Sequence, residues 1–148
     1  MTQGDAMDLR QLTPDLAVSP HILPEEVPAL AEAGFRVLIN NRPDDEVGAD
    51  HDHDAMRAAA EAAGLRYYYI PFTPGQITPD MIAAQAEALA GPGPKVAYCR
   101  SGNRSTVLWA LTRAGTEPAE DLLSTAADAG YDLTGIRPLI ESLADRRR

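Results

Sequence analysis

The chain holds a single cysteine, and it opens the run Cys99-Arg100-Ser101-Gly102-Asn103-Arg104-Ser105. A thiol, a glycine and two arginines so close together are the parts of an anion-binding loop built around a sulfur nucleophile. Backbone N–H groups of such a turn point inward, and the arginines add full charges. That field favours the thiolate, which is the reactive form. Cys99 is the expected nucleophile, and Arg104 is expected to hold the negative charge of the reacting group. Arg100, Ser101, Gly102, Asn103 and Ser105 are expected to line the cradle. Gly102 suits a positive φ. Ser105 suits either a helix N-cap or a hydroxyl that steadies the thiolate. Arg100 reads equally well as a surface residue. Arg42, in a separate polar loop, is a further anion-binding candidate, or a turn residue paired with Asp44.

The elements around the loop must place it. Lys95-Val96-Ala97-Tyr98 reads as a buried strand, and Thr106 to Leu111 as a helix, so Cys99 sits on a strand-to-helix turn. Upstream, Leu16–Ser19 reads as a short edge strand, Pro24–Ala33 as a helix and Arg36–Asn40 as a buried strand. Asp54–Ala63 reads as a helix closed by Gly64, and Arg66–Ile70 as a strand ended by Pro71. Pro79–Ala90 reads as a helix capped by Thr78. Glu117–Ala129 and Thr134–Arg146 read as two more helices. Strands alternating with helices imply a mostly parallel sheet covered on both faces. Ligands of such sheets bind beyond the carboxyl ends of the strands. The loops 40–50, 71–78 and 99–105 lie there and are the expected walls of one pocket.

Length and composition narrow the field. The chain has 148 residues and is 45% apolar, enough for one domain with a core. We expect a flexible tail over 1–10 and a single domain over 11–148. The net charge of −9 argues against a nucleic-acid partner. No apolar run approaches a membrane span, and the first residues lack the features of a signal peptide. The lone cysteine has no internal disulfide partner, so a cytoplasmic location is expected. Any oxidised or persulfidated Cys99 would need an external thiol. His51-Asp52-His53-Asp54 has the look of a metal site. It falls at a helix start, where acidic residues are favoured, and no distant ligand cluster completes it. No metal or cofactor is expected. Tyr67-Tyr68-Tyr69 alternates across a strand, Trp109 reads as core, and Arg146-Arg147-Arg148 as a charged helix end.

The order Leu12-Thr13-Pro14, Ile39-Asn40-Asn41-Arg42-Pro43-Asp44, Tyr69-Ile70-Pro71, Gly75-Gln76-Ile77-Thr78 and Tyr98 to Ser105 resembles the β-lactamase-hydrolase-like (Blh) phosphatase-like family over about residues 10–115. That resemblance implies the fold of the dual-specificity cysteine phosphatases. The cysteine loop alone looks equally like that of rhodanese, and the family carries both phosphatase-like and sulfur-transferase descriptions.

Three departures separate those chemistries. A cysteine phosphatase has five residues between cysteine and arginine, which would put the arginine at position 105. Here that position is Ser105, and Arg104 gives the shorter rhodanese spacing. The loop 71–76 has no carboxylate to protonate a leaving oxygen. Asp80 fits a first-turn helix residue better, which leaves Asp44 or Asp45 as substitutes. Tyr98 stands where the phosphatases carry a histidine. All three departures point the same way, so the expected activity is persulfide-forming sulfur transfer, with a small anionic sulfur donor and an external thiol acceptor. The alternative is hydrolysis of a phosphate monoester through a cysteinyl-phosphate. A non-catalytic anion or persulfide sensor is the third reading.

Overall fold

A computed structural model describes residues 8–147. Five strands form one sheet: β1 (Arg10–Thr13), β2 (Leu16–Ser19), β3 (Val37–Asn40), β4 (Arg66–Tyr69) and β5 (Lys95–Tyr98), in the order β1-β2-β5-β3-β4. Only β1 runs antiparallel to its neighbour. Leu16–Ser19 is therefore not the edge. It lies between β1 and β5, and all four of its residues are buried. Positions 1–7 of the expected tail lie outside the described residues. Arg10 already belongs to β1, and its guanidinium reaches the Ala129 carbonyl at 3.1 Å.

The register positions the site. Ser19 pairs with Tyr98, Asn40 with Tyr98, and Asn40 with Tyr69. Four parallel strands thus end at one level, and the chain leaves each of them on the same side. The helices α1 (Val27–Glu32) and α2 (His53–Ala62) cover one face. The helices α3 (Pro79–Ala90), α4 (Asn103–Arg113), α5 (Ala119–Asp128) and α6 (Arg137–Arg146) cover the other. Alternation along β5 divides its side chains between the two cores: Val96 and Tyr98 enter the first, and Ala97 the second. Tyr67 packs on the first and Tyr68 on the second. Thr78 caps α3 by accepting from Met81 N–H at 3.1 Å. Asp52 caps α2 by accepting from Ala55 N–H at 3.0 Å.

The central helix α4 is buried from Ser105 to Leu111, Trp109 included. It begins at Asn103, earlier than its apolar run, because Gly102 serves as the turn into it. Its far end is held by Arg147, whose Nη1 donates to the carbonyls of Thr112 and Ala114 at 3.1 and 2.5 Å. The basic end of the chain thus caps a neighbouring helix. No helix among the described residues is long and apolar enough to cross a membrane.

Candidate active site around Cys99

Cys99 follows the last residue of β5 and is fully buried. Its N–H donates to the Ser19 carbonyl at 3.4 Å, which holds the strand end against β2. The chain then turns back so that Gly102 N–H donates to Cys99 Sγ at 3.1 Å. Gly102 has φ +93°, and a Cβ there would collide with the Tyr131 hydroxyl. That hydroxyl donates to the Ser101 carbonyl at 3.0 Å. Glycine is needed for the backbone conformation and for the close approach of Tyr131. Thr106 binds the Gly102 carbonyl through both N–H and Oγ1, at 3.0 and 2.8 Å, which locks the loop onto α4.

Arg104 interacts with the Cys99 thiol, and other loops hold it. Its Nη1 donates to Glu46 Oε2 at 2.8 Å and to the Phe72 carbonyl at 2.6 Å; its Nη2 donates to Glu46 Oε1 at 2.7 Å. The expected pocket walls 40–50, 71–78 and 99–105 therefore meet at one guanidinium. Hydrogen bonds from Arg104, aided by Arg42, hold the Glu46 carboxyl below the usual carboxylate range despite partial burial. Glu46 raises the already high value of Arg104, and the neighbouring Cys99 does the same.

Arg42 pairs with Glu46, not with Asp44. Its Nε donates to Glu46 Oε1 at 3.2 Å and its Nη2 to the Glu46 carbonyl at 3.1 Å. It supports the site at one remove. Asp44 is taken by His53: its Oδ1 accepts from the His53 N–H at 2.9 Å, and its Oδ2 meets His53 Nδ1. Burial opposes ionisation of Asp44, but the bonds from His53 outweigh it and its carboxyl titrates low. The tandem His-Asp pairs thus close a helix start. Among the described residues no group of three or more His, Cys, Asp or Glu side chains is placed to hold a metal ion.

Ser105 is neither the N-cap nor the partner of the thiol. It lies inside α4, and its buried hydroxyl donates to Asn41 Oδ1 at 2.8 Å. Asn41 is itself a hub. Its Nδ2 donates to the Ile70 carbonyl and to Gln85 Oε1, both at 2.9 Å, and its N–H donates to the Tyr98 carbonyl at 2.8 Å. One asparagine ties the ends of β3, β4 and β5 to α3 and α4. Arg100, Ser101 and Asn103 have exposed side chains. Ser101 Oγ accepts from Asn103 N–H at 3.2 Å, which ties the turn together.

Glu46, Tyr131 and His21 were not among the expected site residues. Glu46 lay inside an expected loop wall, and its spacing of four from Arg42 was the only local hint of its role. His21 N–H donates to the Arg100 carbonyl at 3.2 Å, and its Nε2 lies 3.4 Å from His51 Nδ1. Burial, with Arg42 and His51 adding to it, lowers the pKa of His21 from 6.5 to about 4. A histidine kept neutral in the fold but protonated in the unfolded chain makes stability fall as pH drops from 6.5 to about 4, and no further below that. Allowing for solvent screening of a half-buried ring, the loss is about 1–2 kcal/mol. Urea denaturation at pH 7 and pH 4.5 should show a smaller loss for His21→Gln than for the unaltered chain.

Residues 8–116 match the family described as "Beta-lactamase hydrolase-like protein, phosphatase-like domain". A Beta-lactamase hydrolase-like protein of Xylella fastidiosa (strain Temecula1) is 32% identical over 130 residues, covering 86% of this chain and 30% of that protein. The chain thus spans under a third of the length of the curated relatives it matches. The solved structure of a candidate phosphatase from Neisseria meningitidis superposes with a TM-score of 0.80 at 26% identity, over 93% of this chain and 99% of that one. A kinase associated phosphatase, solved with its catalytic-site cysteine replaced by serine, gives a TM-score of 0.72 at 15% identity over 95% and 94% of the two chains. This last is a likeness of fold alone.

Proposed function

Because the chain belongs to the family of phosphatase-like domains found in β-lactamase hydrolase-like proteins, we propose that it is a cysteine-dependent phosphatase acting on phosphate monoesters. One observation carries this reading. A thiol at the strand ends of a phosphatase-like fold receives a backbone N–H from Gly102 and lies beside the Arg104 guanidinium. In the first step Cys99 Sγ attacks phosphorus, an S–P bond forms, and the ester P–O bond breaks with its electron pair leaving on oxygen. Arg104 and the N–H groups of the loop bear the charge on the phosphoryl oxygens. In the second step water attacks phosphorus and passes a proton to the phosphate oxygens, the S–P bond breaks, and Gly102 N–H stabilises the departing thiolate.

Among the described residues, the loops around Cys99 offer no carboxylic acid held protonated to serve the leaving oxygen. The loop 71–76 brings only the Phe72 carbonyl to Arg104. Asp44 and Glu46 are held ionised by His53 and by Arg104 with Arg42, and Asp45, the other candidate in that loop, is exposed to solvent. The substrates it suits are therefore esters with acidic leaving groups, such as aryl phosphates. Across a series from p-nitrophenyl phosphate to alkyl phosphates, kcat/KM should fall by about 10²–10⁴, the contribution of a missing general acid. A flat series would mean that an acid operates.

A second reading, persulfide transfer, is favoured by the four-residue spacing between Cys99 and Arg104. A thiolate leaves without an acid, so the carboxylate-free loop also suits it. Assays with p-nitrophenyl phosphate, and with thiosulfate plus an acceptor thiol, separate the two. Ester hydrolysis supports the phosphatase reading. Cys99-dependent sulfur transfer without ester hydrolysis replaces it.

A further inference from the structure

We propose that Glu46 is the positioning residue that aims Arg104 at the oxyanion held over Cys99, a role that rests on the phosphatase reading. Arginine carries five N–H donors in one plane. Nη1 spends both of its hydrogens, on Glu46 Oε2 and on the Phe72 carbonyl. Nη2 spends one on Glu46 Oε1. The far end of the guanidinium is thus closed by a carboxylate and a carbonyl from two different loops. Its side edge, Nε–H and the second Nη2–H, is not used by these bonds, and Arg104 also interacts with the Cys99 thiol. Two parallel N–H bonds on that edge are the fork that grips two phosphate oxygens.

The short loop makes such a hold necessary. Arg104 sits on α4 one residue before the position that phosphatase spacing would use. Side chains one residue apart leave a helix about 100° from each other. A guanidinium starting from the earlier position must be brought back over the thiol and kept there. Glu46 does this from across the site, 58 residues away in sequence. It is itself fixed by Arg42, which binds both its carboxylate and its main-chain carbonyl. Its side chain is only 24% exposed, and that of Arg104 is 12% exposed. The pair is partly shielded from water, where ion-pair geometry is better kept than on an open surface.

The opposite role is also physically definite. A carboxylate that merely occupied the anion site would repel phosphate, and its removal would tighten binding. The sign of the effect therefore decides. Inorganic phosphate is titrated into the chain while the amide NMR shifts of residues 100–105 are followed. Glu46→Gln should weaken phosphate binding about tenfold or more, the scale of a misplaced binding group. Glu46→Asp, whose carboxylate reaches one methylene less far, should fall between. In an Arg104→Ala background Glu46→Gln should add nothing, because it acts through Arg104. Phosphate binding that is unchanged or tighter in Glu46→Gln, or additive losses in the double variant, would overturn the role. Absence of phosphate shifts in the unaltered chain would remove the cradle itself, and the aiming role with it.

Discussion

A Cys99→Ser variant keeps the fold and still binds inorganic phosphate, but its ester hydrolysis drops about 10³–10⁶-fold, the scale seen when a covalent nucleophile is removed. The geometry separates binding from chemistry in this way. Serine Oγ is close in size to Sγ and accepts the Gly102 N–H that the thiol now accepts. The loop is held by bonds that do not involve sulfur: Thr106 to the Gly102 carbonyl, Tyr131 to the Ser101 carbonyl, and Cys99 N–H to Ser19. None of these is lost on substitution, so stability changes by about 1 kcal/mol or less. A hydroxyl has neither the nucleophilicity of a thiolate nor a neighbouring base to activate it. Steady-state rates with p-nitrophenyl phosphate, beside a phosphate titration, check both halves.

The second large effect is at Arg104. Arg104→Ala should lower kcat/KM about 10²–10³-fold, the usual loss when a donor to the transition-state oxyanion is removed. Arg100→Ala, whose side chain is exposed, should stay within about a factor of two to three. Arg42→Ala should lie between, because Arg42 touches Glu46 and not the thiol. Arg104→Lys should recover little. An ammonium is a single point charge, and it cannot satisfy Glu46, the Phe72 carbonyl and an oxyanion together. Equal losses at positions 100 and 104 would mean that the cradle is drawn wrongly.

These contrasts also mark how much of the site the sequence makes legible. β3, β4 and β5 are short runs with strand composition between clear breakers, so the parallel sheet and its functional edge can be read locally. β1 cannot. Arg10-Gln11-Leu12-Thr13 has little strand character of its own and is ordered by pairing with β2 and by the reach of Arg10 to Ala129. The nucleophile, the glycine and the arginine of the loop are legible because their functions require them to be adjacent. Ser105 reads from the sequence as a helix start, but it lies inside α4 because the start of α4 depends on the φ of Gly102 rather than on the apolar run that follows. Arg42 reads from the sequence as an anion-binding candidate or as a partner of Asp44, and neither reading points to Glu46. The true pairings, Arg42 and Arg104 with Glu46 and Asp44 with His53, depend on how the 42–53 loop folds over the sheet edge. Tyr131 meets Ser101 across 30 residues and leaves no local trace. The count of four residues between Cys99 and Arg104 pointed to sulfur transfer. Family and fold support phosphoryl chemistry on the same scaffold instead.

The choice between those chemistries is held by one atom, Cys99 Sγ. The chain is mixed briefly with p-nitrophenyl phosphate, quenched in denaturant at mildly alkaline pH, where an S–P bond survives, and digested at that pH, and the peptide carrying Cys99 is weighed by mass spectrometry. A phosphoryl group on Cys99, absent from Cys99→Ser, is the result expected here. Ester consumed without any phosphoryl group on Cys99, or an extra sulfur atom as the only group Cys99 accepts after exposure to thiosulfate, would contradict it.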